Sequence, residues 1–595
     1  MSGARRARTG AALIALAALV AVGAACGFLS RRAKPPDIIL IVVDTLRADH
    51  LGAYGYRRPT TPRLDALAAT GTRFESATSA APWTLPSIMS ILTSRLPSRH
   101  GVIDDGLRLP ADIPTLASTL ETAGYRTGGF VAHIYVTAPF GFDRGFGHFE
   151  DFGLTKPGYA RERGLEPTAD KVTDGALAWV AGDPDAPIFL LVHYFDPHWP
   201  YDPPASYRDR FASTPPYAGP LDASYDSLSK FQEPSAPMPD DYRRFLIDRY
   251  DGEIAFVDAE IGRLVDGVRK TRAGRPLAIV VTGDHGEEFK EHGSVGHGRQ
   301  MYEEVLHVPL ILAPPARAGA AVKIAEPVSS LDIAPTLLAL AGATPPPGMQ
   351  GHSLLPLLQP DGARAAATPA PVSETVRLGA IRQAVRSGPL KLIHSMDEDH
   401  AELYNLASDP NETRNLASTR PDDRRRLTVI LFERGDHLSG AWNLVWSGDG
   451  RPHRFEGRIE TKGIIRSVVP PGTTDAAYRL ETPAVLVFSD PAARGESGLS
   501  FTTLPYEAPV TFQLLVDGRP LPDAVRLGGA AARPRAMPFT MEGAPDAAPA
   551  FARPPAEAPP VPRFLLWRTR PATAEEPAVL DEELRARLKS LGYVQ

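Results

Sequence analysis

Four short runs of this chain are apolar without alternation: Ile38–Val43, Ile188–Val192, Leu277–Val281 and Val308–Ala313. A strand with one wet face alternates apolar and polar residues, so runs of this kind belong to strands covered on both faces. That requirement points to an α/β architecture in which helices lie above and below a central sheet. Helical spacing in Thr61–Ala69, Thr115–Ala123, Asp170–Gly182 and Tyr242–Arg269 supplies the cover. In the last of these, Phe245, Leu246, Tyr250, Ile254, Val257, Ile261, Leu264 and Val268 recur at threes and fours, the pattern of a long amphipathic helix. Its acidic residues Asp251, Glu253, Asp258 and Glu260 read as the solvated face.

The residues that follow these runs carry the chemistry. Asp44 comes directly after Val43, and Asp284-His285-Gly286-Glu287 follows the run that ends in Thr282-Gly283. Ligands of open α/β sheets bind at the carboxyl ends of strands, although a lone Asp there is more often a turn residue. A carboxylate and an imidazole side by side in a Gly-flanked turn suit a divalent ion of intermediate hardness. The strand at Ile188–Tyr194 runs into Asp196-Pro197-His198-Trp199-Pro200, where two prolines fix the backbone around His198. A strand ending at Val131 leads to His133, which reads equally as a buried structural histidine and as a site residue. In Ala81–Gly101, Pro86 suits the first turn of a helix continued by Ile88, Met89, Ile91 and Leu92. Thr84 then stands at or just before a helix N-terminus, where it either caps the helix or sits in a field that favours negative charge.

Taken together, Thr84-Leu85-Pro86-Ser87-Ile88, Thr93-Ser94-Arg95, the 196–200 segment and Asp284-His285-Gly286-Glu287 resemble the sulfatase family of the alkaline phosphatase superfamily. The likeness extends over about residues 36 to 417. It implies an alkaline-phosphatase-like central mixed sheet flanked by helices and a small C-terminal α+β subdomain. It also implies one divalent ion (Ca2+, Mn2+, Mg2+ or Zn2+) held by Asp44, Thr84, Asp284 and His285, with Thr84, His198 and His297 as catalytic residues. Glu287 and His292 match residues frequent in the family and are expected to support the ligands.

Five positions depart from the family pattern. Thr84 stands where sulfatases have Cys or Ser, Ile88 replaces the motif Arg, and Thr45 replaces a second Asp. Val131 and His297 occupy positions where sulfatases place lysines. Thr is the nucleophile in superfamily branches that transfer phosphoryl groups, including the lipoteichoic acid synthases. The resemblance therefore implies a hydrolase of sulfate or phosphate esters, with phosphate-type esters favoured by the threonine. Two alternatives stay open: an envelope phosphotransferase acting on lipid or glycan head groups, and a catalytically silent surface protein of the same fold.

A formal net charge of −6 over 595 residues gives no basic surface for nucleic acid, and that partner class is excluded. Arg5, Arg6 and Arg8 precede an uncharged run from Ala11 to Leu29 that contains Cys26, the single cysteine of the chain. Residues 1–34 are thus expected to be a signal peptide or a membrane or lipid anchor, which makes the protein exported, periplasmic or otherwise extracytoplasmic, and tethered to the membrane or lipidated. Its partner is an ester substrate, with cell-envelope glycans and lipids among the candidates. The catalytic domain is expected at 35–345 and its C-terminal subdomain at 346–430. A β-rich accessory module at 431–530 follows from short strand-like runs such as Val485–Phe488 and Val510–Val516, and a Pro-rich linker with a terminal helix from 531–595.

Overall fold

The computed structural model describes residues 34–568 apart from several internal stretches, the longest being 157–167, 359–368 and 542–561, together with scattered positions between 576 and 588. The export or anchor segment expected at the N-terminus lies outside the described residues through position 33, as does most of the expected Pro-rich linker. Among the described residues, no helix is long and apolar enough to cross a membrane.

The strands of the central sheet, numbered along the chain, are β1 (Asp37–Val43), β2 (Thr72–Thr78), β3 (Arg126–Val131), β4 (His148–Glu150), β5 (Ile188–Tyr194), β6 (Leu277–Gly283), β7 (His307–Ala313), β8 (Val322–Ile324) and the two-residue β9 (Val328–Ser329), which pairs with β2 beside the main path. Their spatial order is β8-β2-β7-β6-β1-β5-β3-β4. β1 pairs in parallel with β5 and β6, and β5 with β3, whereas β7 runs antiparallel to both β6 and β2. This is the expected mixed sheet. Every residue of β1 and β5 is buried, which explains why their sequences do not alternate. At the foot of β1, the Asp37 carboxylate is held by Arg272 and Arg275, each at 3.0 Å, so the charge in the core is paired.

Pairing register decides where the functional residues meet. Val42 lies opposite His193, Val131 opposite the same His193, and Val43 opposite Gly283. The carboxyl ends of β1, β3, β5 and β6 are therefore level, and the residues that follow them enter one space. Helix α1 (Thr84–Thr93) starts with Thr84 and has Pro86 in its first turn, as the sequence predicts, and all of its residues are buried.

The long helix α2 (Asp240–Thr271) covers the sheet as expected, but its acidic residues correct the sequence reading. Asp251, Glu253 and Asp258 are buried, not solvated. Asp251 is bonded to His50 (2.7 Å), Tyr56 (2.7 Å) and Arg58 (2.8 Å), and Asp258 accepts from the backbone N–H groups of Arg63 and Leu64. The segment after β1 packs on this second face of α2, so the helix needs polar partners inside the protein and not only at its surface.

Beyond the central sheet, an antiparallel sheet of Val372–Thr375, Arg382–Ser387, Leu390–Ser395 and His400–Asn405 packs against the helix Pro421–Arg434 through Val385, Leu392, Leu403, Leu427 and Leu431. Two further sheets enclose a separate core around Trp442, Trp446, Phe455, Phe488 and Phe512, with Trp446 and Phe488 stacked at 4.7 Å. The chain then returns to the catalytic core: Glu576–Pro577 pairs with Leu107–Arg108, and Leu588 is buried beside the central sheet.

Candidate metal and nucleophile site

The turn after β1 is shaped for its neighbour across the sheet. Thr45 adopts φ +53°, a conformation costly for a β-branched residue, and its backbone N–H thereby donates to Asp284 Oδ1 at 3.1 Å. Tyr250 on α2 secures the turn, donating to Thr45 O (2.6 Å) and accepting from Arg47 N–H (3.0 Å). The turn after β6 is equally constrained. The N–H of Gly286 donates to Val305 O at 2.7 Å, and a Cβ at Gly286 would lie 2.0 Å from Glu304 O, so only glycine fits this close approach. The carbonyl of Asp284 accepts from Ser87 Oγ at 2.6 Å and also from Ser79 Oγ, which ties the turn to α1.

These constraints bring Asp44, Asp284 and His285 together, all fully buried, with one ligand atom from each lying within 4.8 Å of the others. His285 Nε2 is 3.6 Å from Asp44 Oδ1, 3.4 Å from Asp284 Oδ2 and 3.2 Å from Thr84 Oγ1. Its Nδ1 lies 2.9 Å from Gly286 O and so carries the ring proton, which leaves Nε2 as the nitrogen with the lone pair. Asp284 Oδ2 is buried without a hydrogen-bond partner. Burial, with the nearby Glu287 adding to it, raises the Asp284 carboxyl above its ordinary range. A buried carboxylate with an unused oxygen, next to an imidazole lone pair and a hydroxyl, fits a divalent cation. The four residues expected to hold the ion are thus brought into one place.

Four further histidines lie around the cluster. His133 Nε2 lies 3.7 Å and His193 Nε2 3.9 Å from Asp44 Oδ2. His297 packs on His285 with ring centres 4.3 Å apart, and His198 lies 5.1 Å from His297 and 5.7 Å from His133. Both expected catalytic histidines therefore border the cluster. His297 Nδ1 contacts Glu287 Oε1 at 2.9 Å, and Glu287 Oε2 accepts from Tyr201 OH, also at 2.9 Å. Burial pushes Glu287 up to about 8 and His193 down to about 3. Burial, followed by the other histidines of the group, also holds His133 and His198 well below the usual imidazole range.

His292, expected to support the ligands, is placed elsewhere: it pairs with Glu304 at 2.5 Å and stacks on Tyr302. His193 was not singled out from the sequence, although a polar residue interrupting an apolar run near the carboxyl end of a strand is a usable signal. The roles of Thr45 N–H, Ser79 and Ser87 depend on backbone geometry and leave no such mark.

The sulfatase family model matches residues 36–343, more than half of the 595-residue chain, and the model described as N-sulphoglucosamine sulphohydrolase, C-terminal, matches residues 290–427. The chain is 27% identical over 503 residues to a choline-sulfatase of Rhizobium meliloti, covering 74% of this chain and 92% of the relative. It is 25% identical over 429 residues to a delta 4,5-hexuronate-2-O-sulfatase of Bacteroides thetaiotaomicron, covering 66% and 87%. Among solved structures, a phosphonate monoester hydrolase of Agrobacterium radiobacter superposes with TM-score 0.56 at 22% identity, covering 67% of this chain and 96% of that one. A protein solved with its substrate D-glucosamine-2-N,6-O-disulfate gives the same TM-score at 23% identity, covering 67% and 97%. At these identities the superpositions establish the fold alone. With its sequence motifs gathered at the carboxyl ends of the central strands and the family model spanning more than half of the chain, the chain belongs to the sulfatase family of ester hydrolases.

Proposed function

We propose that this protein hydrolyses sulfate or phosphate-type esters, the phosphate type favoured, with Thr84 as nucleophile and one divalent ion held by Asp44, Asp284, His285 and the Thr84 oxygen. The observation that carries this reading is the 3.2 Å contact between Thr84 Oγ1 and His285 Nε2, made at the first residue of α1 and inside the Asp44–Asp284–His285 cluster. When bound, the ion lowers the pKa of the hydroxyl and offsets charge on the ester oxygens. The N–H groups of the first turn of α1 add fixed donors for negative charge.

In the proposed reaction Thr84 Oγ1 attacks phosphorus or sulfur in line, the bond from Oγ1 to that atom forms as the bond to the leaving oxygen breaks, and the hydroxyl proton passes by way of His198 and His297 to the leaving oxygen. His198 and His297 serve the departing oxygen and the equatorial oxygens, His198 fixed by its Nδ1 contact to Trp199 O (2.6 Å) and His297 by Glu287. Water then cleaves the Thr ester and restores the hydroxyl. Named relatives that act on choline and hexuronate sulfates support a small alcohol or sugar as the esterified group. An extracytoplasmic address, supported by Arg5, Arg6 and Arg8 ahead of the uncharged Ala11–Leu29 run, belongs to the same proposal.

The test compares metal-depleted and reconstituted protein on aryl phosphate, phosphodiester, phosphonate and sulfate substrates. Turnover is expected only with metal and should fall about 1,000-fold or more in Thr84→Ala, the scale seen when an activated nucleophile is removed. Metal-independent turnover, or a Thr84→Ala variant at the wild-type rate, overturns the proposal.

A further inference from the structure

We propose that Glu253 on α2 is a positioning residue for His198, clamping both ends of the loop that carries this imidazole through a hydrogen bond that only the acid form of its carboxyl can donate. The inference rests on the proposed function above, in which His198 serves the reacting group, and extends it to a residue that acts through the loop.

The loop leaves β5 after Tyr194 and runs from Phe195 to Asp202. Local bonds shape it: His198 N–H donates to Phe195 O at 2.9 Å, and Asp202 N–H donates to Pro200 O at 3.0 Å. Such bonds fix the turn but not its place against the sheet, so the ends of the loop need outside partners. Asp196 reaches one of them, its Oδ2 accepting the N–H of Ala169 at 2.9 Å, where Ala169 is the first residue of the helix Ala169–Val180. A carboxylate suits that place, because a helix start favours negative charge. Glu253 is the other partner. It is buried, and its carboxyl meets the Asp196 carboxyl on one side and the Asp202 N–H on the other. Gly252 beside it lets the chain after the loop come close, since a Cβ there would lie 3.0 Å from both Pro203 Cγ and Tyr207 O.

Two carboxyl groups hydrogen-bond to each other only while one of them keeps a proton. Glu253 Oε2 is buried and receives no hydrogen bond, as expected of an oxygen that itself carries the hydrogen. Asp196, bonded to a backbone N–H at the helix start, is the better anion of the two. Burial, followed by the charge of Asp196, raises Glu253 well above the usual carboxyl range, while burial lifts Asp196 only to about 6. Facing the pair are Asp170 at the start of the same helix, Asp202 at the end of the loop with Arg208 and Arg249 beside it, and Tyr194 on β5. Both aspartates work to keep the proton in place. Near neutrality the pair is therefore a carboxylic acid bonded to a carboxylate. Loss of that proton sets two buried negative charges against each other and frees the loop.

Glu253→Gln and Glu253→Ala test this on the full chain loaded with Mn2+. Glutamine can donate to Asp196 and accept from Asp202 at any pH, whereas alanine can do neither. Hydrogen exchange of the loop amides at about pH 7 should be at least about 10-fold faster in Glu253→Ala and within about 3-fold of wild type in Glu253→Gln. Turnover of the aryl esters named above should follow. In Glu253→Ala kcat should fall about 10-fold with metal content kept, the effect of a displaced imidazole, and Glu253→Gln should restore it. The kcat ratio of Glu253→Gln to wild type should then rise about 10-fold between about pH 7 and about pH 10, because only the wild type has a bridging proton to lose. Titrations common to both proteins cancel in that ratio. Unaltered exchange in Glu253→Ala, a Glu253→Gln variant as impaired as Glu253→Ala, or a ratio that does not move with pH overturns the inference. If the wild type turns over none of the esters, the proposed function falls and the exchange rates alone decide the clamp. Exchange that changes as expected without any change in kcat removes His198 from the proposed reaction while the clamp stands.

Discussion

Two clusters of ionisable side chains lie on either side of the turn that follows β6 and are arranged in opposite ways. One is the site around Asp44. The other lines a cavity of about 330 Å³ that includes Arg47, Asp49, Glu291, His292, Glu303, Glu304, His307 and Arg386. In the second cluster the charges are matched: Glu303 meets Arg386 (3.0 Å) and Lys391 (2.9 Å), Lys391 also meets Glu412 (3.0 Å), and His292 meets Glu304. Burial works to raise Glu303, but Lys391 and Arg386 outweigh it and hold the carboxyl low. Around Asp44, burial raises Asp284, and it raises Glu287 although the Tyr201 hydroxyl and the Arg47 guanidinium work against it. The same desolvation acts on both. A matched cluster ties the catalytic domain to the C-terminal sheet, whereas the cluster at Asp44 and Asp284 would be matched by the cation of the proposed function.

Substitutions should therefore separate stability from chemistry. The largest effect is expected from Asp284→Asn, which removes a carboxylate proposed to hold metal. Metal content should fall to background and kcat/KM by at least about 1,000-fold. The melting temperature of the metal-free protein should stay level or rise, because a buried and unpaired carboxylate is gone. Metal analysis and a thermal scan on one preparation check this. A variant that keeps both metal and turnover breaks the comparison.

Lys391→Met is the mirror experiment. It leaves Glu303 with Arg386 alone and Glu412 without its lysine, both carboxylates being buried, and a loss of about 3–5 kcal/mol is the usual consequence of breaking such a pair. Denaturant unfolding should show that loss, while the folded fraction retains metal and the wild-type kcat. Should Lys391→Met instead remove metal from folded protein, the two clusters are not independent. His297→Gln lies between these cases: a fall in kcat of about 100-fold is expected for the loss of a proton-transfer or charge-stabilising group. Metal content and melting temperature should be unchanged, because the Glu287–His297 contact does not anchor a ligand of the ion.

The contrast also explains what could be read from the sequence. Uninterrupted runs such as Ile38–Val43 announced strands covered on both faces, and the polar residues after them, Asp44 and Asp284-His285, needed only strand direction to be placed at one end of the sheet. Pro86 marked the start of α1 and so located Thr84. The failures involve partners distant in sequence. The helical pattern puts Asp251 and Asp258 on a solvated face because His50 and Arg63, which bury them, lie about 200 positions earlier, and a helical period cannot report a second packed face. His292 shares a motif with the site residues, but the chain bends at Gly293 (φ +91°) and Gly296 (φ +85°), and the imidazole faces Glu304. His193 looked like the end of an apolar strand, and only the register against Val42 and Val131 puts it beside Asp44.

The smallest effect sharpens the matched side of the comparison through pH. Burial works to lower the His292 pKa, but the Glu304 carboxylate at 2.5 Å outweighs it and, with Glu412, raises the imidazole to about 9. The folded protein thus holds this proton more tightly than the unfolded chain, whose histidines titrate near 6.5. For a raised pKa the stabilisation is complete below the unfolded value and is lost as pH climbs from there through about 9. Unfolding free energy should therefore decline by on the order of 1 kcal/mol between pH 6 and pH 9.5 through this pair, and His292→Gln should remove that part of the slope. Urea denaturation of both proteins at the two pH values gives the comparison directly. Equal slopes would mean that the His292–Glu304 pair does not hold its proton as the packing requires, and the cluster beside Arg47 would then be no better matched than the site across the turn.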